Sequence, residues 1–239
     1  MSDLLEYTLR ESERARNMRI RISARAGLEV VVPRGFDKRR VPALLETRRK
    51  WIERGLARYA AERELHAAQV AAGPPRSLHL DAVGETWSVE YHPTAVSGVS
   101  AREHEVGHLV LSGAVEDPLL TREALRRWLV RRAKATIVPR LLSLAAENGF
   151  EVGRASIRWQ RSRWGSCSPS GTVSLNAQLL FLPPRLVDYV LLHELCHTVR
   201  LDHSPAFWAL LESVEPTHSQ FKRELREAGW IHVPAWLRD

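Results

Sequence analysis

The sequence predicts an α+β protein, and three observations carry that prediction. Short β-like runs fill its front and middle, long helical patterns fill its back, and one late helix carries paired histidines. The chain has 239 residues, enough to bury a core as one domain or two. A boundary is expected at 117/118, with residues 1–117 a β-rich region holding a long basic helix and 118–239 the histidine-bearing domain.

In chain order, Met18, Ile20 and Ile22 alternate with Arg19 and Arg21, the period of a half-buried strand. Leu28 to Val32 is a second β-rich run, closed by Pro33. Ala26-Gly27 between them is a turn signal, so the two read as a hairpin. Asp37 is a good N-cap for an arginine-rich helix with Leu44, Leu45, Trp51, Ile52 and Leu56 as its apolar side. Pro42 falls in its first turns, where a missing N–H is tolerated. Gly73-Pro74-Pro75 stops it near Ala72.

Leu78 to Val83, Thr86 to Tyr91 and Leu109 to Leu111 read as a small antiparallel sheet. Asp117-Pro118 opens a long helix through Leu125, Leu129 and Ile137 to Asn148-Gly149, with a kink expected at Pro139. Ala155 to Gln160 is a strand. Thr172 to Leu175 is another, expected at a sheet edge where an extended peptide can add as a strand. Pro183-Pro184 starts a strongly apolar helix. Ser204 with Pro205 caps the next, and Thr217 with Gln220 forms a capping box for the last.

The densest signal is His193-Glu194-Leu195-Cys196-His197, with His203 six residues beyond. Helical residues four apart lie about 40° apart around the axis, so His193 and His197 can share one metal ion. A catalytic zinc takes three protein ligands and leaves the fourth position open. His203 supplies the third if the helix ends soon after His197 and the chain turns back through Asp202-His203-Ser204-Pro205. Glu194 is the carboxylate that HExxH chemistry uses as general base on an activated water. The pattern therefore predicts Zn2+ on His193, His197 and His203. Asp188 and Asp202 are candidates to orient the imidazoles. Arg161, Arg163, Tyr189 and His218 are candidates to stabilise an oxyanion. Cys196 faces away from the shared histidine edge and reads as a small buried residue, and Trp208 is expected to pack under the site.

Four series of residues carry a family resemblance. They are Trp164-Gly165-Ser166-Cys167-Ser168, Val173-Ser174-Leu175-Asn176, Asp188-Tyr189-Val190 leading into His193 to His197, and His203-Ser204-Pro205-Ala206-Phe207-Trp208. Together they resemble the YgjP-like metallopeptidase family, related to the WLM and SprT-like zinc proteases. Arg14 to Pro33 and Lys50-Trp51-Ile52 resemble its N-terminal hairpin and following helix. The resemblance implies a zincin-like fold, action on a protein or peptide substrate, His193, His197 and His203 as ligands, and Glu194 as the catalytic carboxylate. It also implies that the Trp164 to Cys167 loop borders the site. There, a Cys167 thiolate could fill zinc's open position, although a structural loop cysteine is the favoured reading. The glycine that metzincins place three residues after the second histidine is Arg200 here, which argues against that subgroup.

Charge adds a further expectation. The formal net charge is +7, with +7 in residues 1–60, +8 in residues 121–163 and −8 in the remainder. Such asymmetry fits non-specific contact with nucleic acid. The competing reading is thus a non-catalytic, zinc-bearing nucleic-acid-binding protein. Glu194 argues against it, because a structural site has no need of a base and normally has four protein ligands. No run of ~18 apolar residues predicts a membrane span. Met1 to Arg21 does not read as a secretory signal, and two cysteines make no disulfide framework. A cytoplasmic location is the default expectation.

Overall fold

The computed structural model describes residues 5–23, 27–228 and 232–237. The chain forms two compact units, Met1–Ala71 and Ala72–Asp239.

In the first unit, β1 (Thr8–Ser12), β2 (Arg19–Ser23) and β3 (Gly27–Pro33) form a sheet in the order β1-β3-β2. β2 and β3 are the expected antiparallel pair, with Ile20 opposite Val30. Ala26 of the expected turn lies outside the described residues. β1 runs parallel to β3 and leaves little sequence signal, since Leu9 is its one apolar residue. The single helix expected after Asp37 is three pieces. Asp37 accepts from the Arg39 N–H at 3.1 Å and caps a 3-10 turn over Lys38–Arg40. α1 (Val41–Glu46) and α2 (Arg49–Ala71) follow. Leu45 and Ile52 are buried with Leu28, Val30 and Val32. Trp51 does not join them and is 48% exposed, because it sits about 100° around the helix from Ile52.

In the second unit, β4 (Ser77–Leu80), β5 (Glu85–Pro93), β6 (Val99–Glu105) and β7 (His108–Gly113) form a sheet in the order β4-β5-β7-β6. This corrects the antiparallel expectation, because β5 and β7 run parallel, with Val89 opposite Leu109. The cause is the β6–β7 hairpin. Its apolar strand β7 inserts beside β5, while β6, carrying Arg102, Glu103, His104 and Glu105, is left at the edge. Charged side chains are the usual guard of an exposed edge.

α3 (Pro118–Asn148) lies in this same unit. Its ends are as the sequence predicts. Asp117 accepts from the N–H groups of Leu119 and Leu120, and Gly149 takes a left-handed φ of 69° at the C-cap. Leu125, Trp128 and Leu129 share one core with Leu80, Trp87, Leu109 and Leu111, and the Trp87 and Trp128 rings meet edge-on at 5.1 Å. That shared core is why the structural boundary falls at Ala71/Ala72 rather than at 117/118.

Several arginines of α3 bind partners within the chain. Arg127 and Arg131 each donate to an outer carbonyl of β6, Val99 O and Ala101 O, at 2.9 Å. Arg126 is buried and donates twice to Leu237 O, and Arg132 pairs with Glu85. The Glu85 pair gives a testable pH dependence. Burial raises the Glu85 carboxyl pKa, but hydrogen bonds from Arg132 and Trp87 outweigh it, and the net shift is downward. A depressed folded pKa contributes stability above the unfolded value, ~4.3 for Glu, that is lost as pH falls through the folded value. Glu85→Gln should therefore lower the free energy of unfolding at pH 7 by about 1 kcal/mol. The gap to wild type should close as the pH is taken below ~4. A gap independent of pH would overturn the assignment.

β8 (Arg154–Arg158), β9 (Gly165–Cys167) and β10 (Thr172–Asn176) form the last sheet, in the order β8-β10-β9. β10, expected at the edge, is central, parallel to β8 and antiparallel to β9. Val173 and Leu175 are fully buried, which suits a middle strand. The edge toward the site is β9, too short to signal itself in sequence. Three helices complete the unit: α4 (Pro184–Val199), α5 (Pro205–Val214) and α6 (His218–Ala228). Ser204 holds the N-cap position of α5, but its hydroxyl donates to Asp202 instead, at 2.8 Å. Thr217 likewise turns to Glu215, through both its hydroxyl and its N–H, in place of the expected capping box. No helix among the described residues is long and apolar enough to cross a membrane.

Candidate metal centre

α4 buries Leu186, Val187, Val190, Leu191 and Leu195, which fixes its rotation about its own axis. That rotation sets His193 and His197 side by side, with ring centroids 4.9 Å apart. Cys196 goes into the core, as its position predicts. The helix stops at Val199, and Arg200 is extended. The chain reversal brings the Arg200 carbonyl to the His197 ring, where Nδ1 lies 2.9 Å from it. A carbonyl only accepts, so Nδ1 carries the proton and the Nε2 lone pair is free.

His203 returns after the turn. Its Nε2 lies 3.3 Å from Nε2 of His193, and ligand atoms of His193, His197 and His203 all fall within 4.8 Å of one another. Phe207, fully buried on α5, contacts all three rings at centroid distances of 4.4 to 5.0 Å. Trp208 stacks on His203, and its Nε1 donates to the His203 carbonyl at 3.0 Å. Trp208 thus packs where the sequence suggests. Phe207 is the floor that the sequence does not announce, although a residue four after His203 on the following helix is placed to reach it.

These residues fit a divalent metal. In the tautomers that a shared metal requires, with neither Nε2 carrying a proton, the two facing nitrogens are both acceptors and repel unless a cation lies between them. Two ligands of a tetrahedral zinc, at ~2.0–2.1 Å each, stand about 3.3 Å apart. Burial pushes the His193 pKa down to about 3 and lowers that of His203, which favours the unprotonated rings that a metal requires.

Glu194 is 6% exposed. Burial pushes its pKa up to about 7, against a lowering from the Arg163 charge. Its Oε2 is buried without a protein hydrogen-bond partner. β9 lies directly against it: a Cβ on Gly165 would stand 2.7 Å from both Cγ and Oε1 of Glu194. The missing side chain is the space that the carboxylate fills. Gly165→Ala should displace Glu194 and lower kcat roughly 100-fold with little change in KM. In a Glu194→Ala background the same change should cost no thermal stability. Equal destabilisation in both backgrounds would show that Gly165 serves something else.

Other candidates are distributed differently. Asp188 makes a two-pronged bond to Arg140 of α3 at 2.9 and 2.7 Å, and Asp202 accepts from Ser204. Neither carboxylate bonds a ligand ring, although the Asp202 charge acts on His203; the partner that orients His197 is the Arg200 carbonyl. Five residues before His193, Asp188 points about 140° away from it around the helix. Burial, with the Glu194 charge, raises the Cys167 thiol pKa, which disfavours the thiolate considered for it. Tyr189 is buried with its ring 6.1 Å from that of His193. Burial pushes its hydroxyl up to about 12, so it stays a neutral donor. His218 stacks on Trp208 at 5.9 Å, with its Nδ1 buried and unpartnered. Arg161 and Arg163 are exposed. Lys222, which sequence reasoning passes over, places its ammonium 3.8 Å from the centroid of the Trp208 ring.

A family profile described as YgjP-like, metallopeptidase domain matches residues 16–228. The class is therefore a metallopeptidase, a hydrolase of peptide bonds that works with a divalent metal. The chain belongs to the YgjP-like family, as its motifs suggest. Among solved structures, the crystal structure of the metallopeptidase zymogen of Pyrococcus abyssi abylysin is 24% identical, with a TM-score of 0.35. That match covers 38% of this chain and 94% of the other. No curated protein matches the chain significantly.

Proposed function

We propose that the protein is a zinc-dependent peptidase in which His193, His197 and His203 hold the metal and Glu194 is the general base. The observation that carries this is the facing of His193 and His203 Nε2 at 3.3 Å, with the buried, unpartnered Oε2 of Glu194 on the same helix. Three nitrogen donors suit zinc, the borderline-soft ion of three-ligand catalytic sites. When bound, it supplies Lewis acidity that acidifies water and polarises a carbonyl.

The chain's own residues do the rest. Glu194 Oε2 accepts a proton from the attacking water and delivers it to the leaving amine. The Arg200 carbonyl holds the His197 ring in one tautomer. β9, at the free edge of its sheet, offers backbone groups to an extended peptide. Tyr189, a neutral hydroxyl beside His193, is the best placed of the oxyanion candidates. The test is cleavage of an unstructured protein by zinc-loaded enzyme, with Glu194→Gln as control. No cleavage under any metal loading would overturn the reading.

The nucleic-acid alternative has less behind it. Its charge argument rests on residues 1–60 and 121–163. In the first segment Arg10, Arg34, Lys38 and Arg49 pair with carboxylates, and in the second Arg126, Arg127, Arg131 and Arg132 bind partners within the chain. Changing Arg127 and Arg131 together to Glu should lower thermal stability, because it strips two carbonyls of β6 of their donors. DNA titrated at ~20 mM salt, where screening is weak, should give a flat curve with the wild type. Salt-sensitive binding would restore the alternative.

A further inference from the structure

A cavity of about 160 Å³ opens beside the metal centre, lined by Trp164, Gly165, Tyr189, Val190, His193, Glu194 and Leu225. Three elements build it. α4 supplies one wall, since Tyr189 and Val190 lie one turn before His193 and Glu194. β9 and the residue before it supply the second through Gly165 and Trp164, and α6 supplies the third through Leu225. Tyr189, Val190 and Glu194 are buried, while Trp164, Gly165, His193 and Leu225 are half-buried and mark its mouth as the more open side. The cavity begins at the proposed base and ligand and leads away from them along α4.

We propose that this cavity is a specificity pocket for one apolar side chain next to the scissile bond, so that the substrates are peptides with a Leu-, Met- or Phe-sized residue on one side of the cut. This rests on the peptidase reading above. The occupant follows from place, size and chemistry. A carbonyl held between Glu194 and the three histidines puts a neighbouring side chain within reach of the mouth. An apolar protein cavity of about 150 Å³ takes up a benzene ring, so this one admits a phenyl or isobutyl group and is too small for an indole. Trp164, Tyr189, Val190 and Leu225 present carbon surface. The single acidic group, Glu194, disfavours an entering carboxylate, and the low-dielectric walls disfavour any charge. Leu225 is the specificity-determining residue that sequence reasoning did not single out: it lies on α6, 31 positions beyond Glu194.

The experiment has two arms. In the first, zinc-loaded enzyme digests a mixture of random peptides, and the cut sites are read by mass spectrometry. Leu, Met and Phe should exceed Gly, Ser, Asp and Lys roughly 10- to 100-fold at one flanking position. Leu225→Trp, which fills the cavity, should move that preference to Gly and Ala, and Leu225→Ala should extend it to Trp. In the second arm, toluene is added to metal-free protein and the thermal midpoint is followed. Toluene should stabilise the wild type and Leu225→Ala, but not Leu225→Trp. Cleavage without a flanking preference, or a preference unmoved by either Leu225 variant, overturns the pocket and leaves the peptidase reading standing. A toluene response in Leu225→Trp equal to that of wild type also overturns it. Toluene binding that follows this pattern without any cleavage of peptides overturns the peptidase reading, and the substrate assignment with it.

Discussion

Glu194→Gln should keep the fold and the zinc and lose peptide hydrolysis by about 1000-fold, within the range that positioned proton transfer contributes. The substitution conserves shape. The amide occupies the space that Gly165 leaves open, where a Cβ would come within 2.7 Å of Oε1, so packing is unchanged. Stability should not fall, because burying a carboxylate without a partner costs more than burying an amide. What disappears is the proton acceptor at Oε2, which no protein group engages. Three readouts separate a base from a structural residue. Zinc content and the thermal midpoint should match wild type while kcat collapses. A variant that cleaves at the wild-type rate removes Glu194 from the mechanism. A variant that loses its zinc makes Glu194 part of the metal's environment.

What the sequence discloses about this site is local, and what it hides is not. The histidine pair lies within one turn of one helix, so spacing alone brings His193 and His197 together. The ends of α3 are equally plain, since Asp117-Pro118 and Asn148-Gly149 are caps written in adjacent letters. β1, β6 and β9 are missed because polar residues dominate them or because they are only three residues long. The parallel pairing of β5 with β7 depends on which strand the β6–β7 hairpin inserts, a choice made by burial across the whole sheet. β10 has the β-rich composition of an edge or a centre alike; only its two neighbours decide. The arginines of α3 read as a basic face because periodicity cannot show that the outer carbonyls of β6 await them. Gly165, Phe207 and Leu225 reach the site from three different elements. No spacing rule joins Gly165 or Leu225 to Glu194, although Gly165 and Phe207 both lie within motifs that carry the family resemblance.

His197→Ala should reduce zinc from about one ion per chain to nearly none, and it tests the ligand set more sharply than loss of activity can. His197 is buried, its Nδ1 is committed to the Arg200 carbonyl, and Phe207 stacks on its ring at 4.4 Å. The ring therefore reaches the centre in one orientation and with one lone pair. Structural zinc sites with four ligands bind with ~10–16 kcal/mol, which is about 2.5–4 kcal/mol per ligand. Losing one of three should weaken binding on the order of 100- to 1000-fold, leaving two imidazoles that cannot retain the ion through a desalting column. The thermal midpoint offers a second measure. Zinc at ~1000 times its Kd adds about 4 kcal/mol to the stability of a protein that binds it only when folded. Wild type should show that increment, and a chelator should reverse it. His197→Ala should show little of it, while His79→Ala, at an exposed position of β4 and bonded to Thr86, should behave as wild type. Stoichiometric zinc in His197→Ala, with an undiminished midpoint shift, would mean that the ion sits elsewhere. The facing imidazoles of His193 and His203 would then need another explanation.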